Sequence, residues 1–247
     1  MKKFLMIAGL LFLLLAGLSE AALPRIASGA LDMALCDALK TDTVEVNART
    51  FPACMMLFGR VGNIDAEAAG GMLGNLRADK LTLHGEGVMM PPDVLINRNF
   101  AVTGADVLTL TGIVTADDLA DFLNREIKEI EDAKVTITKE QVLADATTKI
   151  MGRNADVHIE GVFFIEDNTI CLRLTNVKVK KVFFGRDLTA NFFNRIDIYD
   201  FNQLNMPVEL DEAVHGDGEV LLKASRHPGK TYGDGRKRET NKTGDKA

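Results

Sequence analysis

Two short stretches of this sequence carry residue types that metal or acid–base chemistry uses. "HGEGVMM" begins at His84 and "HIEGVFF" begins at His158, and each places a Glu two residues after its His. Imidazole and carboxylate groups are common zinc ligands and proton carriers. A split metal or acid–base site, with one half in each copy, is therefore the first hypothesis to weigh.

The spacing within each copy favours a simpler explanation. Residues two apart on a strand point to the same side, so His84 and Glu86 share one face, opposite Leu83 and Gly85. The second copy repeats this arrangement. A metal site would also need a third or fourth ligand, whereas a solvated sheet face explains both pairs without one. The sequence therefore predicts no metal and no cofactor.

The shared Gly of the two copies is the more informative residue. After Gly87 and after Gly161 the alternation gives way to consecutive apolar residues. Gly inside a strand often marks a bulge or bend. We therefore expect the motif to bend a long strand at each place.

Other catalytic patterns are missing from the sequence. Its three serines are Ser19, Ser28 and Ser225, and none lies in a Gly-x-Ser-x-Gly elbow. "GRVGNIDAEAAGGMLG" lacks the Lys-Ser/Thr ending of a phosphate loop and is interpreted as a flexible or strand-linking segment. Cys54 lies between apolar neighbours, where a thiol is more often packed than activated. The sequence predicts a protein that is not an enzyme.

The N-terminus resembles an export signal. "MKK", the apolar run "FLMIAGLLFLLLAGL" and "SEAA" have the basic, apolar and small-residue order of a signal peptide over residues 1–21, with cleavage after Ala21. We expect a periplasmic or cell-envelope protein. The alternative is an uncleaved inner-membrane anchor, although the run is shorter than the roughly 20 residues of a typical span.

The C-terminal stretch, residues 225–247, differs in charge from the rest. It carries seven Lys or Arg against three Asp or Glu, while the whole chain has a net charge of −6. Its composition predicts disorder, and Arg236, Lys237 and Arg238 are candidates for contact with an anionic membrane surface. A solubilising end without a partner is the alternative. The acidic body and 6% aromatic content disfavour nucleic acid as a partner.

Cysteine usage leaves two possibilities open. Cys36, Cys54 and Cys171 make an odd count, so an exported protein could pair Cys36 with Cys54 and leave one thiol free. Three reduced thiols are the other possibility.

Alternating segments predict a mostly antiparallel sheet. They are separated by short turns and comprise "TVEVNA", "DKLTLHGEGVMM", "DVLTLTGIV", "KVTIT", "NADVHIEGVFFI", "TICLRLTNVKVKKVFF" and "GEVLLKA". Three helices are predicted, over 24–39, in "TADDLADFLNREIKEIED" from a Thr115–Asp118 cap, and in "GRDLTANFFNRID". The fold class is therefore α+β, with an elongated, twisted sheet curled around amphipathic helices.

The second and third helices also resemble each other, with "DLADFLNR" in one and "DLTANFFNR" in the other. They follow the two His-x-Glu-Gly strands in the same order. The sequence thus suggests an internal duplication.

The order of these segments resembles the LmeA-like phospholipid-binding family. "LRADKLTLHGEGVMM", "GIVTADDLADFLNREI", "VHIEGVFF" and "MPVELDEAVHGDGEVLLKAS" carry the resemblance over roughly residues 25–224, and "VTADDLADFL" is the most specific piece. The resemblance implies one lipid-binding domain, residues 22–224, related to tubular lipid-binding domains. It implies binding of phospholipid or another acyl-chain lipid in an apolar groove, without catalysis.

The groove candidates are the apolar side chains of the two amphipathic helices and of the motif ends. They are Leu119, Phe122, Leu123, Ile127, Ile130, Leu188, Phe192, Phe193, Met89, Met90, Phe163 and Phe164. Met-rich walls can repack around different ligands. The alternative is a structural or scaffolding envelope domain with a closed core. A metal hydrolase that uses His84 and His158 is the third hypothesis.

Overall fold

The computed structural model describes residues 2–91, 94, 100–128, 130–150, 153–180 and 195–229. Within these residues lie one long and one shorter α-helix, a short 3-10 helix at Ala53–Phe58 and another at Phe201–Gln203. The α-helices are α1 (Lys2–Leu39) and α2 (Ala116–Glu126). The strands are β1 (Val44–Arg49), β2 (Arg60–Leu73), β3 (Leu76–Met89), β4 (Val107–Thr115), β5 (Ile130–Ile137), β6 (Val142–Ile150), β7 (Arg153–Glu166), β8 (Thr169–Lys180), β9 (Arg195–Asp200), β10 (Glu209–His215) and β11 (Glu219–Ser225).

The strands form two sheets. The first has the order β1-β2-β3-β4-β11-β10, and the second follows the chain as β5-β6-β7-β8-β9. Every neighbouring pair of the second sheet is antiparallel. The prediction of a mostly antiparallel sheet is confirmed. All seven predicted strands are present over their described residues, and "KVFF" at the end of the sixth lies outside them.

The chain divides into two compact units. The first comprises Met1–Ala68, Thr82–Thr109 and Asn205–Pro207, and the second comprises Ala69–Leu81, Leu110–Leu204 and Val208–Ala247. In the first unit, α1 packs on β1 and on the 3-10 helix at Ala53–Phe58. Leu31 and Leu35 face inward, and the Ser28 hydroxyl accepts the Ala48 N–H at 3.0 Å. The predicted helix end at Leu39 is confirmed.

In the second unit, α2 packs on β5, and the five-stranded sheet supplies much of the core. Val157 and Ile159 of β7 point inward together with Val142 and Ala144 of β6. These side chains alternate with polar ones, which is why the strand pattern is visible in the sequence.

The Gly-rich stretch from Gly59 to Gly74 was predicted as a flexible or linking segment, and this prediction is wrong. Most of it is β2, a strand of 14 residues. Its inward positions include Ala66 and Ala68, which are buried but lack the branched side chains that mark strands in a sequence. Gly70 has a φ of +70°, a conformation that suits Gly. Strands β6, β9 and β10 were also absent from the predicted set.

The predicted third helix lies mostly outside the described residues, which resume at Arg195. Its last three positions, Arg195 to Asp197, belong to β9 rather than to a helix. Ile196 pairs there with Leu172 of β8. The helical periodicity of the sequence therefore continues past the start of β9, whose partner strand β8 is distant in sequence.

Candidate functional site

Helix α2 begins with the predicted cap. The Asp118 N–H donates to the Thr115 hydroxyl at 3.3 Å, and the Thr115 N–H donates to the Asp118 carboxylate at 3.1 Å. Asp118 is only 1% exposed, and Arg77 pairs with it at 2.7 Å. The buried carboxylate is thus satisfied by a cation and by the helix start, which fixes where α2 begins on the sheet.

The apolar face of α2 lies in the core. Leu119, Phe122 and Leu123 are all buried. These three groove candidates are therefore placed inside the second unit, against the sheet on which α2 packs.

The helix is shorter than predicted, because it ends at Glu126 rather than continuing to Asp132. The Asn124 side chain accepts the Ala133 N–H at 2.8 Å and so holds the chain as it turns back. Ile130 then pairs with Thr148 as the first residue of β5. The last two residues of the predicted helical stripe, Ile127 and Ile130, consequently lie beyond the helix.

Those two isoleucines line an apolar cleft in the second unit. Both are half-buried. The other described wall residues come from β6 to β9, and the whole set is aliphatic apart from two threonines. It comprises Ile127, Ile130, Ala146, Thr147, Thr148, Val157, Ile159, Leu174, Val177 and Ile196.

The cleft is narrow. Its empty volume is about 490 Å³ including the part open to solvent, but the space for the centres of water molecules is only about 40 Å³. Walls of this kind offer water few hydrogen bonds, so the space suits methylene groups better than solvent. The narrowness means that an occupant has to separate the walls in order to enter.

The other groove candidates that the structure describes do not line this cleft. Met89 is exposed and Met90 is buried in the first unit. In the second unit, Phe163 is buried with its ring 5.4 Å from that of His215, and the half-buried Phe164 lies under the Arg173 guanidinium at 4.3 Å. Leu188, Phe192, Phe193, Arg236, Lys237 and Arg238 lie outside the described residues.

Each His of the repeated motif has acidic neighbours on its own strand and on the preceding one. His84 Nδ1 lies 2.7 Å from Asp65, and its Nε2 lies 3.7 Å from Glu86. The hydrogen bond with Asp65 raises the pKa of His84. Leu83 and Gly85 are buried on the opposite face, which confirms the predicted polar face.

The second copy repeats this arrangement. His158 Nδ1 lies 2.8 Å from Asp145, and its Nε2 lies 3.6 Å from Glu160. With Asp132, Lys134 and Asp156, His158 lines an open polar depression of about 380 Å³. Among the residues that the structure describes, no three His, Cys, Asp or Glu are placed to hold a metal ion.

The three cysteines are free, so the pairing of Cys36 with Cys54 is not formed. Burial, followed by the hydrogen bond to Asp197, raises the pKa of Cys171 to about 12. A thiol with this pKa is almost entirely protonated near neutral pH and is a poor nucleophile.

Most of the cleft was not predicted from the sequence. Ala146, Thr147 and Thr148 lie on β6, a strand that was not predicted, and Ile196 lies on β9. The alternation of "VLADATTKI" is the signal that could have revealed β6, since Val142, Ala144, Ala146 and Thr148 are its buried positions.

The fold and the cleft together describe a mainly antiparallel-sheet protein with an apolar site. The family model described as LmeA-like phospholipid-binding matches residues 18–225, and the chain belongs to that family. No curated protein and no solved structure gives a match. In the part of the chain whose side chains are described, which excludes residues 1–19, no helix is long and apolar enough to cross a membrane.

Proposed function

We propose that the chain binds the acyl part of a phospholipid, or of a related lipid, in the cleft bounded by Ile127 and Ile130. The observation that carries the proposal is an aliphatic cleft in the second unit of a chain that belongs to a phospholipid-binding family. Transfer of methylene groups from water to such walls is favourable by about 0.8 kcal/mol each. The function is binding without catalysis.

The cellular role that we propose is lipid carriage or maintenance of the bacterial cell envelope. The apolar segment of residues 4–18 would direct export to the periplasm or, if retained, hold the chain at the inner membrane. The basic residues Arg236, Lys237 and Arg238 would add attraction to an anionic leaflet. The two similar Asp–His–Glu arrangements support the internal duplication that the sequence suggests.

The narrowness of the cleft favours a second candidate, a scaffolding envelope domain with a closed core. The two functions differ in what a detergent-free preparation contains. A lipid-binding protein carries about one phospholipid per chain into an organic extract, as expected for a single pocket. A scaffold gives an extract free of stoichiometric lipid, which would contradict the first proposal.

Substitution of the cleft wall tests the location. We expect the double change Ile127→Ser and Ile130→Ser to remove most of the copurified lipid, because hydroxyl groups replace apolar wall in a space without polar partners. Ile165→Ser is the matched control, since Ile165 is also half-buried in the second unit but does not line the cleft. Mass spectrometry gives the lipid content, and denaturant unfolding gives the stability of each variant. Equal lipid loss in both variants would place the site elsewhere.

A further inference from the structure

The first unit exposes four large apolar side chains around the 3-10 helix at Ala53–Phe58. Phe51 is 90% exposed, Leu57 58%, Phe58 70% and Met89 47%. The Met90 N–H donates to the Gly59 carbonyl at 2.8 Å, which brings the end of β3 beside the end of this short helix. We call Phe51, Leu57, Phe58 and Met89 the apolar patch.

The backbone fixes the patch in an outward position. Ala53 and Met56 of the same 3-10 helix are buried and anchor it, while Leu57 and Phe58 point away. The Gly59 N–H donates to the Met56 carbonyl at 2.9 Å and closes the helix. Two largely exposed phenylalanines lose the stabilisation that burial gives such side chains, and clustered exposure of this kind marks an interaction surface.

The charge of the segment that carries Phe51, Leu57 and Phe58 indicates the kind of partner. Residues 46–64 contain no Asp or Glu, although the whole chain has 35 acidic residues and a net charge of −6. The same stretch contains Arg49 and Arg60, and both are exposed. Apolar side chains flanked by arginines match the interface of an anionic bilayer, where acyl chains lie beneath negative head groups.

The chain itself places an apolar segment next to the patch. The Ala53 N–H donates to the Glu20 carboxylate at 2.9 Å, and Glu20 follows the apolar run of residues 4–18 by two positions. If that run enters a bilayer, the backbone at Ala53 lies at the bilayer surface. The patch residues themselves belong to the part of the chain after Ala21, so they remain if the leader is removed.

We propose that the apolar patch inserts into the surface of an anionic lipid bilayer, with Arg49 and Arg60 contacting the head groups. This docking surface lies in the first unit and is separate from the acyl-binding cleft of the second. It is also distinct from the basic residues near the C-terminus.

The absence of Trp from the sequence gives a direct test with the full chain. Phe58→Trp introduces the sole indole, and vesicles of phosphatidylcholine and phosphatidylglycerol with brominated acyl chains quench an indole that enters the bilayer. We expect a blue shift and strong quenching. Val214→Trp is the control, because Val214 is an exposed apolar residue of the second unit. An unquenched indole at position 58, or equal quenching at both positions, would overturn the proposal.

Two further measurements separate the bilayer from other partners. Arg49→Gln with Arg60→Gln should weaken binding to the anionic vesicles by about fivefold per arginine and change little on phosphatidylcholine alone. A patch that instead joins two copies of the chain would give the Phe58→Trp indole a blue-shifted emission without vesicles, together with a dimer in sedimentation velocity. That result would contradict membrane docking.

Discussion

The two His-x-Glu-Gly strands, β3 and β7, share motif residues and place acidic side chains beside each His. Their patterns of burial differ after the Gly. In β3, Glu86 and Gly87 both lie at least partly outward, so the alternation shifts by one residue and Met89 is exposed while Met90 is buried. In β7 the alternation continues through Gly161, and it is the first Phe, Phe163, that is buried.

The backbone explains the difference. At Gly87 a φ of +58° accompanies the shift in alternation, as at a bulge within β3 itself. At Gly161 the irregularity lies in the partner strand, because Glu160 pairs with Asn176 and Gly161 pairs with Leu174, so Thr175 of β8 is the extra residue. The irregularity that the motif predicts is therefore present at both glycines, but only at Gly87 does the burial alternation of the motif strand itself shift. A repeated motif can therefore keep its polar cluster while it directs the following residues to opposite sides.

The largest expected effect comes from truncating the buried residues at the ends of the two motifs. Phe163→Ala should lower the free energy of unfolding by about 3–5 kcal/mol, and Met90→Ala by about 2–5 kcal/mol, because both side chains are buried. Met89→Ala should stay within about 0.5 kcal/mol, since this side chain is exposed. Denaturant unfolding of the three variants checks the order. If Met89→Ala lowered the free energy of unfolding much more than Met90→Ala, the first apolar residue would be the buried one in both motifs, and the contrast would fail.

Replacement of Gly161 or Gly87 with Ala should lower the free energy of unfolding for different reasons. Gly161→Ala should cost about 1–3 kcal/mol, because its Cβ would lie 2.9 Å from the Arg173 carbonyl oxygen. Gly87→Ala should cost about 1–2 kcal/mol for its left-handed backbone, with an added clash against the Asp106 carboxylate.

Two controls separate the causes by the same unfolding measurement. Gly218 has a φ of +88°, and a Cβ added there would have no neighbour within 4 Å. Gly218→Ala therefore reports the backbone cost alone. In an Asp106→Ala background, the cost of Gly87→Ala should fall towards the cost of Gly218→Ala, because the clashing carboxylate is gone. Asp106 is an exposed side chain, so its own replacement does not disturb the core. If Asp106→Ala has no such effect, the clash at Gly87 is relieved by simple rotation.

The sequence predicted elements whose determinants are local. The Thr115–Asp118 cap, the polar face of His84 and seven alternating strands needed only neighbouring residues. Periodicity could not show the end of α2, because Ile127 and Ile130 continue the helical spacing and only the pairing of Ile130 with Thr148 makes it a strand. The same limit applies to the cleft. Ile127 and Ile130 belong to the predicted helical stripe, whereas the other walls come from strands brought together by the sheet.

The smallest expected effect is a difference in the response to pH. The Asp65 hydrogen bond raises the pKa of His84, so protonation stabilises the folded first unit. That contribution is fully present below the unfolded pKa, about 6.5, and is lost as the pH rises through the folded pKa. Asp65→Asn should return the pKa of His84 towards 6.5 in a histidine NMR titration.

The Phe163 end of β7 should respond in the opposite direction. The Phe163 N–H donates to His215 Nε2 at 3.3 Å, and burial lowers the pKa of His215. Because His215 binds a proton more readily in the unfolded chain than in the folded one, the free energy of unfolding falls as the pH drops below about 6.5. In the same titration, Phe163→Ala should expose His215 and raise its pKa, while the pKa of His84 stays unchanged. A shift of both pKa values in the same direction would mean that the two histidines do not sense their local partners separately, and the contrast between the strands would fail.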